Sequence, residues 1–302
     1  MGRTTGAWPC PGPGPTGFVV ALTVTCELVP PRGADADAVR AAANRWGAIA
    51  DAVNVTDGAR ASVRMSALAT VAIVRAEGVE TILQMTVRDR NRIALAADAL
   101  GAAALGVRGF LALWGDPVKV GENPGAAEVR DLETAELIAL LAGIREGRLP
   151  GGREVDGPRP TYLVGSAASA GPASVDGLVA KLDAGADLVQ TQIVLDGEGF
   201  AEWFGRCREA GVAERATVLA GIAVPRSGEL IARMEKMGAR ASAELAERAE
   251  RGEGAEAVDD LIEELARIEG LAGVHLMPLG SPPELIRDLA AHARRAFGAR
   301  EA

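Results

Sequence analysis

The sequence predicts a single (β/α)₈ TIM barrel, an α/β fold in which helices surround a closed parallel sheet. From residue 18 onward, short apolar or β-branched segments alternate with longer Ala-rich amphipathic segments, the pattern of repeated strand–helix units with buried parallel strands. Eight such units can be counted in the 302 residues, which suits the size of such a barrel. The alternative is an open doubly wound sheet, but no Gly-rich phosphate turn follows an early strand, as that fold normally requires.

The eight strands are predicted where apolar segments are bounded by turn-forming residues. They cover Phe18–Cys26, Ala52–Thr56, Thr81–Thr86, Gly109–Leu113, Thr161–Gly165, Leu188–Ile193, Thr217–Ile222 and Gly273–Met277. Helices are predicted where apolar side chains recur every three or four positions. They cover Asp35–Ala50, Ser66–Glu77, Arg92–Leu105, Leu132–Glu146, Ser174–Ala184, Glu198–Ala210, Glu229–Met237 and Pro283–Ala296.

The remaining segments set the predicted domain organisation. Residues 1–17 are rich in Pro and Gly and are predicted to be a flexible leader before a barrel domain over 18–302. The GxGxxG spacing in this leader precedes the first strand, so it does not predict a dinucleotide site. The Gly- and Pro-rich loop 115–130 is expected to project from the barrel mouth. Charged helices in 240–270 are expected to form a solvated insertion before the last strand, which braces the barrel or contacts another subunit.

Composition excludes several classes of function. Hydrophobic residues make up 48% and charged residues 24% of the chain, which predicts a packed core. The net charge of −9 leaves no basic field for nucleic acid or an anionic membrane. Three separated cysteines and two histidines exclude a disulfide framework, a thiolate zinc site and an HExxH metal site. The same cysteine pattern favours a reduced, cytoplasmic setting. No segment is long and apolar enough to span a bilayer, so a soluble protein is expected.

Reactive groups in such a barrel lie at the carboxyl ends of the strands. Glu27 ends the first strand, before Pro30 and Pro31, which stiffen the exit of the chain. A carboxyl group in this partly apolar mouth can stay protonated near neutral pH and act as a general acid. An N-cap or ion-pair role explains it about equally well. Asp116 ends the fourth strand, and an ordinary turn aspartate is its alternative.

Polar side chains at other strand ends are further candidates. Gln190 and Gln192 share one side of the sixth strand, and an unpaired buried amide costs about 1–3 kcal/mol, so a bound polar heterocycle would satisfy Gln192. Thr56 and Gln84 close the second and third strands, where helix caps are equally well predicted.

Three further residues complete the set. Lys181 lies late in the fifth helix, where a cation complements the helix dipole without any ligand. His275 in the eighth strand is more simply a hydrogen-bonded core histidine than a catalyst. Trp114 is the one aromatic residue that we place near a ligand.

Several of these segments together resemble the methylenetetrahydrofolate reductase family, the flavoprotein barrels that convert 5,10-methylenetetrahydrofolate to 5-methyltetrahydrofolate. The order and spacing of the similar segments run through nearly all of residues 18–298. The segments are TCELVPPRG, VNVTDGA, LWGDP, KLDAGADLVQTQIVLD, LAGIAVPRS and GVHLMPLG.

The resemblance implies a role for each candidate residue. Glu27 takes the place of the catalytic glutamate, Asp116 lies near flavin and pterin, and Gln192 binds folate. The positions that correspond to cofactor contacts are Thr56, Gln84, Trp114, Val164 and Lys181. The resemblance also implies FAD as cofactor, NADH or NADPH as electron donor, and a place in one-carbon metabolism and methionine biosynthesis. A homo-oligomer or a partner oxidoreductase stays open.

The chain departs from the family mainly on the cofactor side. It has Trp114 where many members have arginine, Gln84 in place of histidine, Val164 in place of tyrosine, Ala180 in place of arginine, and Gly228 where some bacterial enzymes have phenylalanine. Two alternative functions follow from these differences. One is a related folate one-carbon oxidoreductase with another donor or direction, and the other is a non-catalytic barrel that binds folate or a partner enzyme.

Overall fold

The computed structural model describes residues 22–171 and 174–299. Within them, eight parallel strands pair in chain order, and β8 pairs with β1 to close the barrel. The predicted (β/α)₈ fold is therefore confirmed, whereas the leader 1–17 and the predicted start of the first strand lie outside the described residues. The strands are β1 Val24–Leu28, β2 Ala52–Val55, β3 Thr81–Thr86, β4 Gly109–Leu113, β5 Leu163–Ala168, β6 Leu188–Ile193, β7 Thr217–Ile222 and β8 Gly273–Leu276.

Each of the eight predicted helices is present in the described ranges, together with two helices in 240–270, where charged helices were expected, and one short helix at Val212–Arg215. The helices are α1 Ala36–Gly47, α2 Ala67–Ala76, α3 Arg92–Ala104, α4 Thr134–Arg145, α5 Val175–Asp183, α6 Gly197–Glu209, α7 Val212–Arg215, α8 Gly228–Lys236, α9 Ala243–Glu250, α10 Gly254–Ala266 and α11 Pro283–Gly298. Ser66 and Asn91 cap α2 and α3 by accepting backbone N–H bonds, so Thr56 and Gln84 are not helix caps. None of the helices described here is both long and apolar enough to cross a membrane.

The barrel interior is apolar toward the amino ends of the strands, the lower part, and polar toward their carboxyl ends, the upper part. Residues that alternate along each strand point inward or outward, and the outward ones pack against the helices in one large apolar core. A separate inward layer of apolar residues fills the lower barrel: Leu22, Ala52, Ile82, Leu111, Leu163, Leu188 and Leu219. Above it, the strands present Thr25, Asn54, Gln190 and His275, all buried. The polar groups therefore lie toward the carboxyl ends of the strands.

The connection between β7 and β8 differs from the prediction. Helix α10 packs against α6 and α11 and buries a continuous apolar face, including Val258, Ile262 and Leu265. It therefore takes the place of a barrel helix and is not a solvated insertion. The charges of α10 are all acidic and lie on its outer side, while its apolar stripe faces inward.

The additional segment is instead α8 with α9. A side chain at Gly254 would collide with the carbonyl oxygen of Pro225, so α10 begins beside the point where the chain leaves β7. Residues 226–253 thus form an excursion that returns to its starting point. Lys236 and Met237, at the end of α8, lie at the barrel mouth. The excursion is fixed on its far side by a bridge between Ala241 and Leu195.

Candidate active site

A cavity of about 720 Å³ lies at the carboxyl ends of the strands. It brings together seven of the eight site residues predicted from the sequence, although their individual roles stay predictions. These residues are Glu27, Thr56, Gln84, Trp114, Asp116, Lys181 and Gln192.

Val164 is the exception. It is fully buried and belongs to the core between sheet and helices, so the expectation that it contacts a cofactor is wrong. The reason is strand register: Leu163 points into the barrel, and the next residue must point outward. β5 also continues to Ala168, beyond its predicted end, and contributes Ala167 and Ala168 to the cavity wall.

Glu27 lies on β1 opposite Asn54 of β2 and opens into the cavity. Burial raises the pKa of its carboxyl group to about 7, because the charged form loses its hydration inside the barrel. No ion pair that would hold the group charged is present among the described residues. Glu27 can therefore carry a proton near neutral pH, as general acid chemistry requires.

Asp116 is held by the neighbouring β2–α2 loop. Its Oδ2 accepts a hydrogen bond from the backbone N–H of Arg60 at 2.7 Å. Arg60 and Ala61 both have positive φ values, of 59° and 49°, a conformation that costs side-chain-bearing residues free energy. Gly115 has φ 82° and turns the chain out of β4, as its type permits. The hydrogen bond from Arg60 thus orients the exposed carboxylate of Asp116 at the rim.

Arg88 is a rim residue that sequence reasoning missed. Its side chain is only 4% exposed, donates to the carbonyl oxygens of Gly58 and Asp116 at 3.3 and 3.0 Å, and pairs with Asp89. It joins the ends of β2, β3 and β4. The charged run RDRNR after the third strand was the available signal. Asp57 has a similar structural role, because it accepts hydrogen bonds from the backbone and hydroxyl of Thr86 at 2.8 and 3.1 Å.

The two ends of the loop 115–130 are held together at its base, whereas residues 122–129 are exposed. The guanidinium carbon of Arg130 lies 4.0 Å from the centre of the Trp114 ring, a cation–π distance. Arg130 also donates to the carbonyl oxygen of Trp114 at 2.9 Å. Trp114, Gly115 and Asp116, where the chain leaves β4, line the cavity.

Below the cavity, four buried side chains form a hydrogen-bonded chain across the barrel. Asn54 donates to Gln190 Oε1 at 2.6 Å, Gln190 Nε2 donates to Thr25 Oγ1 at 3.4 Å, and Thr25 Oγ1 lies 2.8 Å from His275 Nδ1. Burial lowers the pKa of His275 to about 4. The prediction of a hydrogen-bonded core histidine is confirmed, but His275 also lines the cavity.

Comparison with known proteins identifies the family. The sequence profile of methylenetetrahydrofolate reductase matches residues 20–282. The chain belongs to the methylenetetrahydrofolate reductase family. A curated relative, "Probable methylenetetrahydrofolate reductase (NADPH)" of Caenorhabditis elegans, is 30% identical over 161 residues, which is 53% of this chain and 23% of that protein. The chain thus matches about a quarter of the length of this relative.

Solved structures support the fold of this family member. A protein from Clostridium thermocellum described as binding two copies of 5-methyl-5,6,7,8-tetrahydrofolic acid has a TM-score of 0.63 at 11% identity, over 92% of this chain and 96% of that one. EDTA monooxygenase from Chelativorans sp. BNC1 has a TM-score of 0.55 at 13% identity, over 92% of this chain and 94% of that one. At these identities, the similarity concerns the barrel alone.

Methylenetetrahydrofolate reductases generally use FAD and NAD(P)H, so the cavity must be tested for groups that fit a flavin. Thr56 is 2% exposed, and its Oγ1 has no hydrogen-bond partner, which leaves a buried hydroxyl for a ligand to satisfy. Lys181 Nζ donates to the carbonyl oxygen of Ala167 at 2.8 Å, and no described carboxylate pairs with it. Burial lowers its pKa. A buried hydroxyl, a nearby amide of Gln84 and a partly desolvated cation fit a polar, anionic cofactor such as FAD.

Proposed function

We propose that this chain reduces 5,10-methylenetetrahydrofolate to 5-methyltetrahydrofolate with FAD as cofactor and NADH or NADPH as electron donor. The observation that carries the proposal is the convergence of Glu27, Asp116 and Gln192 on one cavity, together with the raised pKa of Glu27. Family membership supports the reaction class. The Clostridium thermocellum barrel that binds a methylated tetrahydrofolate supports the ligand class.

Glu27 is the proton donor in this mechanism. Its protonated carboxyl gives a proton to the amine nitrogen that leaves when the five-membered ring of the folate opens. The ring opening produces a 5-iminium cation on the substrate. FAD, when bound and reduced, would supply the hydride. Because Glu27 lies in a partly enclosed cavity, the carboxylate that remains after proton transfer lies near the cation and stabilises it.

Asp116 and Gln192 hold the pterin. Asp116 is fixed by Arg60 through one oxygen, and we assign its other oxygen to an N–H group of the pterin. Gln192 offers both a donor and an acceptor, which suits the mixed edge of such a ring. The negative charge of Asp116 also stabilises the cationic intermediate. Thr56, Gln84 and Lys181 would hold the flavin, and Trp114 lines the cavity beside them.

The rate should depend on pH in a defined direction. Since the general acid must be protonated and its pKa in the folded protein is about 7, kcat/KM for methylenetetrahydrofolate should be highest below pH 7 and fall about tenfold per pH unit well above it. Steady-state rates between pH 5.5 and 9 with a fixed donor would measure this. A profile that is flat across pH 7 would contradict the assignment of Glu27.

Replacement of Lys181 by methionine should weaken flavin binding. The substitution keeps the length of the side chain and removes a partly buried cation that bonds Ala167 O at 2.8 Å. We expect roughly a tenfold higher Kd for FAD, a loss of about 1.4 kcal/mol, measured by quenching of flavin fluorescence. Lys119→Met, which removes an exposed cation that does not line the cavity, is the matched control. Equal affinities for all three proteins would exclude Lys181 from the flavin site.

The proposed function itself is tested by spectroscopy of the purified protein. A bound flavin should absorb visible light, bleach when NADH or NADPH is added, and regain its colour when methylenetetrahydrofolate is added. Colourless protein that takes up no flavin but binds methyltetrahydrofolate would instead support a folate-binding barrel. Reduction of methylenetetrahydrofolate by a nicotinamide without any flavin would support the related oxidoreductase with a different route for electrons.

A further inference from the structure

The four hydrogen-bonded side chains beneath the cavity donate and accept in one consistent direction. They lie on β2, β6, β1 and β8, and all are at most 3% exposed. Asn54 Nδ2 donates to Gln190 Oε1. The amide nitrogen of Gln190 then faces Thr25 Oγ1 and donates to it. With its oxygen already accepting, the hydroxyl of Thr25 is free to donate its own hydrogen to His275 Nδ1 at 2.8 Å.

The opposite direction is less favourable. Rotation of both amides would reverse every bond, and the amide nitrogen of Asn54 would then lie where its oxygen now lies. That oxygen has no hydrogen-bond partner. A buried acceptor without a partner is tolerated more often than a buried N–H donor without one. The chain therefore runs from Asn54 to His275, and it ends on Nδ1 as an acceptor.

This direction fixes the tautomer of His275. A neutral imidazole carries one hydrogen, and when Nδ1 accepts a bond the hydrogen is on Nε2. The ring is neutral at physiological pH because burial lowers its pKa to about 4. Nε2 makes no hydrogen bond to any described residue. It is also not fully buried, so a ligand can reach it. Since His275 lines the cavity, Nε2 is the atom that faces it.

We propose that His275 presents a neutral Nε2–H donor to an acceptor atom of the bound pterin, with its tautomer set by Thr25, Gln190 and Asn54. This inference rests on the proposed function, because it takes a folate as the ligand. Glu27 supplies an acid and Asp116 an acceptor, so His275 adds a neutral donor from the floor of the cavity. A neutral donor can orient a carbonyl or imine group and adds no positive charge beside the cationic intermediate.

The tautomer can be observed directly by NMR. The chain has two histidines, His275 and His292, and His292 lies near Glu263 of α10, outside the cavity. In protein with ¹⁵N-labelled imidazoles, His292→Gln removes one set of signals and assigns the other. We expect His275 to be the neutral Nε2–H form from pH 5.5 to 8, and its Nε2–H signal to shift when methyltetrahydrofolate binds. A protonated Nδ1 would overturn the inference.

Substitutions of Thr25 and His275 test how these hydrogen bonds affect folate binding. Thr25→Val keeps the shape of the side chain and removes the donor to Nδ1, so the two tautomers of His275 should become mixed. His275→Phe should raise the Kd and KM for folate roughly tenfold and change kcat less than about twofold, because a contact present in both ground and transition states affects binding alone. His275→Gln, whose amide can still donate, should recover part of the affinity. Thermal melting would verify that each variant is folded.

The outcomes separate this inference from the function on which it rests. If the wild-type protein binds no folate, both fail. If it binds folate while the Nε2–H signal stays unchanged, or if His275→Phe binds as tightly as the wild-type protein, only the inference about His275 fails.

Discussion

Glu27→Gln is expected to lower the turnover of methylenetetrahydrofolate by about 10²–10⁴, the usual contribution of a general acid. Glutamine has the same size and still offers hydrogen bonds, but it cannot release a proton to the leaving nitrogen. Folate and flavin affinities should stay within about threefold of the wild-type values, because the amide resembles the protonated carboxyl. Single-turnover reoxidation of reduced enzyme by methylenetetrahydrofolate measures the affected step. A rate near that of the wild-type protein would exclude Glu27 as the acid.

The same variant has a second, independent consequence. The pKa of Glu27 is raised in the folded protein from 4.5 to about 7, so the folded state disfavours the charged carboxylate that the unfolded chain carries above pH 4.5. This destabilisation grows as the pH rises from about 4.5 to 7 and is then constant. Glutamine is always neutral, so Glu27→Gln should melt at a higher temperature than the wild-type protein at pH 8 and at nearly the same temperature at pH 4.5. Equal melting temperatures at both pH values would indicate an unburied carboxyl.

Gly273→Ala is expected to cause the largest loss of stability. Gly273 begins β8 next to Leu219 of β7, and a methyl group there would collide with the carbonyl oxygen of Thr23, just before β1. Backbone atoms at the point where the barrel closes cannot move aside without breaking strand pairing. We expect a cost of about 3 kcal/mol or more, and thus a melting temperature lower by roughly 6–12 °C. Calorimetry or circular dichroism would measure this change.

Gly101→Ala is the matched control. Gly101 lies inside α3, and a side chain there would meet nothing within 4 Å. Because alanine favours the helix over glycine by about 0.5–1 kcal/mol, this variant should be slightly more stable than the wild-type protein. If Gly273→Ala were as stable as Gly101→Ala, the close approach of β8 to residue 23 would be wrong.

The sequence predicted the barrel and placed seven of eight candidate residues in the cavity, because strand ends depend on local patterns. Strand ends such as those at Glu27 and Gln192 follow directly from where apolar segments stop. In a parallel barrel, all these ends must meet at one rim. Residues far apart in the chain, such as Glu27 and Asp116, could therefore be placed in one site without knowledge of any contact.

The features that the sequence could not predict depend on register and on packing between distant segments. Val164 was misplaced because a shift of one residue along a strand reverses the side on which every side chain points. The barrel role of α10 was hidden because its charged outer face resembles that of any exposed helix. Arg88 and Arg130 donate hydrogen bonds to backbone carbonyl oxygens of distant segments, and the sequence does not show which segments meet. The hydrogen bonds of His275 cross four strands, and no local pattern records them.

Residues 226–253 leave the barrel and return to the same point, so part of the cavity mouth is built by a segment distinct from the strands. Because Pro225 and Gly254 lie side by side, the intervening residues can be lengthened, shortened or exchanged at a modest entropic cost without displacing the strands that carry the chemistry. Lys236 and Met237, which belong to this segment, line the mouth of the cavity. Changes in the length or sequence of this segment can therefore alter access to the cavity, while the strand ends that line it stay in place.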